Sequence, residues 1–399
     1  MLTKMNVLIA EDDALTRRML EASLTKWGYN CQSARNGIEA WDYYEKGEYD
    51  LLITDWIMPG MNGVELCRKI RAHMTSNYTY IILLTSLDSR DNVTQGFEVG
   101  VDDYIGKPFE PVELKARLKA GTRILNLERN LAGSNKRMKT DLKKAAKTLE
   151  SLLPINKTGF NKLKFDWYFK PTAYIGGDLF NVLKLDENHI ATYMIDVSGH
   201  GVSAALLATT LSHLLRPLIE HGGILKKYDD DGNEVIRKPR EVAAELNMRF
   251  PIDEETSMYF TFFYAIIDTE KMEMQWVRAG HPVPFRISDT GVTVLRGGNP
   301  PIGFIEEYCF SDETTRLTAG DRLILYSDGM IEPENNKGEQ FGESRLTKII
   351  EQNQDKPLGS LIKQTMATLT IHCGDNYFDD DISLLIIELD KENALEKVI

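Results

Sequence analysis

Between residues 6 and 108 one unit recurs five times: a short apolar run, a polar residue that ends it, and a stretch of helical periodicity. The runs are NVLIA (6–10), NCQSA (30–34), DLLIT (50–54), YIILLT (80–85) and DDYIGKP (102–108). Apolar runs alternating with amphipathic helices restrict residues 5–120 to an α/β fold, a doubly wound five-stranded parallel sheet covered on both faces. In such a sheet the ligand site lies at the carboxyl ends of the strands.

The polar residues gather at those ends. Asp12 and Asp13 follow the first strand, Asp55 closes the third, Thr85 the fourth and Lys107 the fifth. Carboxylates a few ångströms apart repel by roughly 1 to 4 kcal/mol per pair at effective dielectrics of 80 to 20. A divalent cation removes that cost, and with a lysine it neutralises the oxygens of a phosphoryl group in transfer to an aspartate. Asp55, between a strand and the tight PGMNG turn, is the exposed nucleophile. Asp12, Asp13 and Asp55 would hold Mg²⁺ together with the main-chain carbonyl of Ile57. Lys107 would bind a phosphoryl oxygen or pair with Asp55, and Thr85 would hydrogen-bond the phosphate. The rival reading, solvated acids at a sheet edge, accounts for any one of these elements but not for all of them.

With these motifs residues 5–122 resemble the receiver domain of two-component response regulators. The resemblance implies that Asp55 is the phosphoacceptor, Asp12 and Asp13 the acidic pair, Thr85 and Tyr104 the switch residues, and Lys107 the lysine of the site. It also implies Mg²⁺ as cofactor and a histidine kinase as phosphoryl donor.

From 111 to 153 the pattern is helical and highly charged, and Pro154 ends it. Ile124, Leu131, Met138, Ala145 and Leu152 form one heptad row; Glu128, Asn135, Leu142 and Leu149 form the other. This seam implies a dimeric coiled coil in which a buried Asn135 fixes register. The opposing reading is a solvated helix weakened by AGSN at 132–135.

Beyond Pro154, strands alternate with acid-bearing turns and outnumber helices, which implies an α/β sandwich built on antiparallel sheets. The segment 220–239 reads as a mobile loop or a hairpin. The expected organisation is thus residues 1–122, a helical linker over 123–153, a second domain over 154–390 and a tail over 391–399. In the second domain IGGDLF, IDVSGHG, YSDGMIE and FDDDISLLI set Asp178, Asp196, Asp328 and Asp380 at Gly turns or strand edges. Each motif is weak alone, because Asp-Gly turns are common. Together they read as carboxylates brought to one end of a sandwich. An all-oxygen set selects Mg²⁺ or Mn²⁺ over zinc, and two such ions hydrolyse a phosphomonoester without a protein nucleophile.

Residues 154–390 resemble the SpoIIE-like (RsbU-like) branch of the metal-dependent PPM serine/threonine phosphatases, through KPTAYIGGD, DVSGHGVSAALLA, WVRAGHPVPF, LTAGDRLILYSDGMIE and DDDISLLII in the family's order. By that resemblance Asp196 bridges two metals and the carbonyl of Val197 binds one of them. Asp328 and Asp380 complete the ligand set of the second ion, Asp178 supports the metal waters, and Asp381 rivals Asp380. The implied substrate is a phosphorylated anti-sigma factor antagonist of STAS type in a partner-switching pathway. The alternative is a non-catalytic adaptor that binds a sigma-factor pathway protein when Asp55 is phosphorylated. His200 is either a proton donor to the leaving serine or a residue that shapes the turn, and the second reading is preferred; His281 reads as a turn residue.

The net charge of −13 disfavours nucleic acid as a ligand. No run approaches the roughly 20 apolar residues of a membrane span, and the four cysteines form no CxxC pair. A cytoplasmic protein is expected.

Overall fold

The computed structural model describes residues 4–73, 78–86, 99–154, 162–172, 175–199, 201–252, 258–374 and 378–390. The chain forms two compact units, Met1–Met138 and Lys139–Ile399.

In the first unit β1 (Asn6–Ala10), β2 (Asn30–Ala34), β3 (Leu51–Asp55), β4 (Tyr80–Ser86) and β5 (Asp103–Lys107) form a parallel sheet in the order β2-β1-β3-β4-β5. Alternate residues of one strand serve opposite cores, which is why the runs are continuously apolar. Leu8, Leu52, Ile81 and Leu83 pack with Trp41, Leu66 and Ile70 of α2 (Gly37–Lys46) and α3 (Gly63–Ala72). Val7, Ile9, Ile53 and Leu84 pack with Leu20 and Leu24 of α1 (Ala14–Lys26) and with Leu114, Leu118 and Leu125 of α4 (Pro111–Glu150). The helix starts are encoded locally: Asp13, Asn36 and Asn62 each accept a backbone N–H three residues on, and Glu65 closes a capping box with Asn62.

Helix α4 is unbroken over 40 residues, AGSN included. Its burial in the first unit continues past residue 122, through Leu125 and an ion pair from Arg129 to Asp50. The heptad seam divides. Ile124, Leu131 and Met138 are exposed, whereas Leu149 is half-buried and Leu152 packs on the core of the second unit.

The second unit stacks two antiparallel sheets. One runs β15-β12-β11-β8-β7 and the other β14-β13-β16-β17-β6. The strands are β6 (Leu163–Lys170), β7 (Leu179–Lys184), β8 (His189–Val197), β11 (Phe260–Asp268), β12 (Glu273–Ala279), β13 (Phe285–Ser288), β14 (Gly291–Val294), β15 (Glu313–Arg316), β16 (Arg322–Tyr326) and β17 (Ile382–Leu389). The inner faces meet in one large core with α5 (Val202–Leu214) and α6 (Pro239–Arg249). A second core lies under α7 (Gly342–Asn353) and α8 (Leu358–Cys373) on the other sheet. The 220–239 segment contains a hairpin, β9 (Lys226–Tyr228) with β10 (Glu234–Ile236). Helix α8 had no counterpart in the sequence reading. Among the described residues no helix is long and apolar enough to cross a membrane.

Candidate functional sites at two acidic strand ends

The carboxyl ends of β1, β3 and β5 bring together Glu11, Asp12, Asp55 and Lys107. Lys107 Nζ lies 2.7 Å from Glu11 Oε2 and 2.9 Å from Asp55 Oδ2. Burial pushes Glu11 up against the pull of that ammonium, and the two carboxylates raise Lys107 in spite of its burial. Ligand oxygens of Glu11, Asp12 and Asp55 all lie within 4.8 Å of one another, so this set fits one divalent cation. Asp13, expected in that set, is turned away from it. Its carboxylate caps α1, accepting the Thr16 N–H at 2.7 Å, and that bond holds it below the usual carboxylate range. The carboxylates that converge with Asp55 are thus Glu11 and Asp12, one position earlier than the expected Asp12 and Asp13. The signal for Glu11 was its place directly after Ala10, where the strand is still buried. Thr85 is buried in register with Gly106, Tyr104 is 40% exposed, and Ile57 is exposed in the turn after Asp55.

In the second unit the acids meet where β8 and β16 end and β7 and β17 begin. Asp196 is the penultimate residue of β8; Asp328 lies two residues past the end of β16, and Asp380 and Asp381 precede β17. Burial, then the charges of Asp328 and Asp380, push Asp196 up to about 8. Burial, then Asp380 and Glu332, push Asp328 up to about 6, with a hydrogen bond to Asp196 opposing. Among the described residues neither Asp196 nor Asp328 has a Lys or Arg ion-pair partner. Mutually repelling carboxylates with no basic partner are the donor set that hard divalent ions match.

Asp178 sits behind this group. It is buried, its Oδ2 accepts from Ser383 Oγ at 2.6 Å, and burial with Asp196 and Asp381 beside it raises it well above the usual range. Asp381 has a different task from Asp380. Its buried carboxylate accepts backbone N–H groups of Thr172 at 2.9 Å, Gly177 at 2.6 Å and Asp178 at 3.3 Å. A Cβ at Gly176 would come within 2.2 Å of Asp381 Oδ2, so only glycine lets the loop close on it. Asp380, half-buried, instead borders an acidic cleft of about 550 Å³ with Gly329, Glu332, Glu334 and Asp379. The carbonyl of Val197 faces Gly177, where a Cβ would stand 3.0 Å away.

His200 lies outside the described residues; its neighbours Gly199 and Gly201 hold φ of 84° and 89°. His281 is buried, and its Nδ1 is 2.7 Å from Thr261 Oγ1. Burial, then Arg278, push its imidazole down to about 3. Glu332, Ser383 and the clamp made by Asp381 had no signal at the sequence level beyond their nearness to acids already chosen.

Residues 7–119 match the response regulator receiver domain, and residues 186–390 match Stage II sporulation protein E (SpoIIE). The phosphoserine phosphatase RsbP of Bacillus subtilis is 26% identical over 230 residues, 57% of this chain and 53% of RsbP. The phosphate regulon transcriptional regulatory protein PhoB of Pseudomonas aeruginosa is 43% identical over 114 residues, 29% of this chain and 50% of PhoB. The chain thus spans about half the length of each of these relatives. The solved SiaA-PP2C domain of Pseudomonas aeruginosa shares the fold at a TM-score of 0.54 and 19% identity, over 64% of this chain and 99% of that one. With that match over residues 186–390 and the sandwich that carries it, the chain belongs to the SpoIIE family, joined to an N-terminal response regulator receiver domain.

Proposed function

We propose that this protein is a two-component response regulator whose output is metal-dependent dephosphorylation of phosphoserine or phosphothreonine in a protein, governed by phosphorylation of Asp55. The observation that carries the reading is the convergence of Asp196, Asp328 and Asp380, unpaired with Lys or Arg in the case of the first two, on one end of a PP2C-like sandwich. An adaptor without catalysis would not need to hold repelling carboxylates at such a cost.

In the receiver, Asp55 accepts the phosphoryl group from a histidine kinase. Lys107, already 2.9 Å from Asp55, stays beside the transferred oxygens, and Glu11 keeps the ammonium in place. Thr85 and Tyr104 carry the change to the rest of the domain. Glu11, Asp12 and Asp55, with the carbonyl of Ile57, would hold Mg²⁺. In the phosphatase unit Asp196 would bridge two Mg²⁺ or Mn²⁺, Val197 would lend its carbonyl, and Asp328 and Asp380 would complete the set. When bound, these ions neutralise phosphate oxygens and acidify a water for attack on phosphorus. Asp178, fixed by Ser383, would support that set from behind.

The end of α4 links the two activities. Ala146, Leu149 and Leu153 share a small cavity with Pro171, Ile175, Gly176 and Asp178, so a shift of the helix reaches the loop that Asp381 clamps. A coupling of about 1 to 3 kcal/mol, 5- to 150-fold, is the usual scale of such a switch. The exposed Ile124, Leu131 and Met138 support a homodimer through the middle of α4. The substrate we favour is a phosphorylated anti-sigma factor antagonist.

The test is release of phosphate from such a phosphoprotein with Mn²⁺, comparing the parent with Asp196→Ala. Equal rates would remove the two-metal reading. Retention of the phosphoprotein without turnover, unaffected by chelator, would establish the adaptor instead.

A further inference from the structure

His281 lies on Gly280–Pro284, the crossing that takes the chain from β12 in one sheet to β13 in the other. The crossing is fixed at both ends of its turn. Arg278 donates from Nη1 to the His281 carbonyl at 2.6 Å and from Nε to the Gly297 carbonyl at 2.5 Å. Gly280 takes φ of 68° against Pro301, where a Cβ would come within 2.5 Å of Cγ.

The imidazole is 1% exposed, at the point where the chain passes from one sheet to the other. On one side Nδ1 meets Thr261 Oγ1 at 2.7 Å, and Thr261 is the cross-strand partner of Asp196 in the β8–β11 ladder. Directly opposed residues of antiparallel strands share a face, with Cβ atoms about 4.5 to 5.5 Å apart. The His281–Thr261 pair therefore stands beside Asp196. On the other side the crossing runs into β13, which pairs with β16, the strand that ends two residues before Asp328. Its buried Nε2 has no hydrogen bond of good geometry.

Stacked sheets share no backbone ladder, so their separation is set by what lies between them. Apolar packing sets it in the core, but at the acidic end polar groups must do so. We propose that His281, acting through Thr261, is a positioning residue that sets the separation of Asp196 from Asp328 and Asp380, and thereby the affinity of this end of the sandwich for divalent cations. This rests on the reading of those acids as cation ligands. An imidazole suits the task because its Nδ1 meets the Thr261 hydroxyl and, held neutral by burial and by Arg278, it adds no charge that would compete with a cation.

The experiment is calorimetric titration of the full chain with Mn²⁺, with every variant made in an Asp12→Ala background that removes the receiver's own cation set. Thr261→Val, which removes a hydroxyl and keeps the shape, and His281→Leu are each expected to weaken binding by about 10- to 100-fold, the range typical of groups that orient metal ligands. The double variant is expected to match the weaker single one, because the two side chains act as a unit. Turnover at saturating Mn²⁺ is expected to keep the parent's pH profile over about pH 6 to 9. Mn²⁺ affinity in Thr261→Val within about twofold of the parent, while Asp196→Ala loses binding, would overturn the proposal and leave the metal site standing. Unchanged affinity in Asp196→Ala as well would remove the metal site and the proposal with it. A pH profile altered by Thr261→Val would overturn it in favour of proton transfer by His281. If His281→Leu fails to fold, Thr261→Val alone decides.

Discussion

Asp380 and Asp381 are adjacent in sequence, yet their substitution to alanine is expected to have opposite consequences. Asp381→Ala removes the acceptor for three backbone N–H groups, of which those of Gly177 and Asp178 are buried. An unsatisfied buried donor costs about 1 to 3 kcal/mol, so the two together cost about 3 kcal/mol or more. Relief of the repulsion that Asp381 exerts on Asp178 and Asp196 offsets part of this. For a unit of this size 1 kcal/mol moves the unfolding temperature by roughly 2 to 4 °C, and the expected fall is about 6 to 12 °C. Asp380→Ala removes a half-exposed charge that raises both Asp196 and Asp328. Without cations its stability is expected within about 1 kcal/mol of the parent's. Thermal unfolding with and without Mn²⁺ separates the two. At a free concentration about 100 times Kd, binding adds roughly 2.7 kcal/mol to the parent. Asp381→Ala should gain a measurable increment from its lower base, whereas Asp380→Ala should gain little. Loss of the increment in Asp381→Ala with retention in Asp380→Ala would refute the assignment and exchange the two roles.

Gly176→Ala should mimic part of the Asp381 defect, since its Cβ occupies the place of Oδ2; an unchanged unfolding temperature would show that the loop does not close on Asp381. In the receiver, Asp13→Ala should lower the unfolding temperature through loss of the α1 cap yet still permit Mg²⁺-dependent labelling of Asp55 by a small phosphodonor, whereas Asp12→Ala should abolish labelling. At the opposite end of the sandwich Asp268 accepts N–H groups of Glu270 and Lys271 and pairs with Lys271, which outweighs its burial and lowers its pKa. A depressed carboxylate adds stability that is present above the unfolded value near 3.9 and is lost as pH falls through the folded one. Asp268→Asn is therefore expected to cost about 1 to 2 kcal/mol in urea melts at neutral pH, with the difference closing below about pH 4.

The receiver sheet was legible because its strands are buried on both faces and its acids mark their ends. Register among successive acids was not. EDD places two carboxylates in the site and DDD one, each giving its last acid to a structural bond, and side-chain direction over one residue is decided by the helix cap or the loop that needs an acceptor. Helix α8 escaped because Ile362, Thr365, Thr368, Thr370 and Ile371 are β-branched, a composition that suits strands as well as helices. The Thr261–His281 pair was invisible for another reason: a contact across 20 residues of sequence depends on strand register that the pattern alone does not fix.

The border between the two compact units, at residues 138 and 139, falls inside α4 rather than in a loop. A loop absorbs length changes of one residue at a time, but a helix does not. Each residue inserted there advances the following chain by 1.5 Å and turns it by about 100°. Seven residues restore the rotation to within about 20°. Natural variation in length at this joint should therefore come in multiples of seven, and laboratory insertions of one to seven residues should make the output rise and fall with the helical phase, like the teeth of a gear.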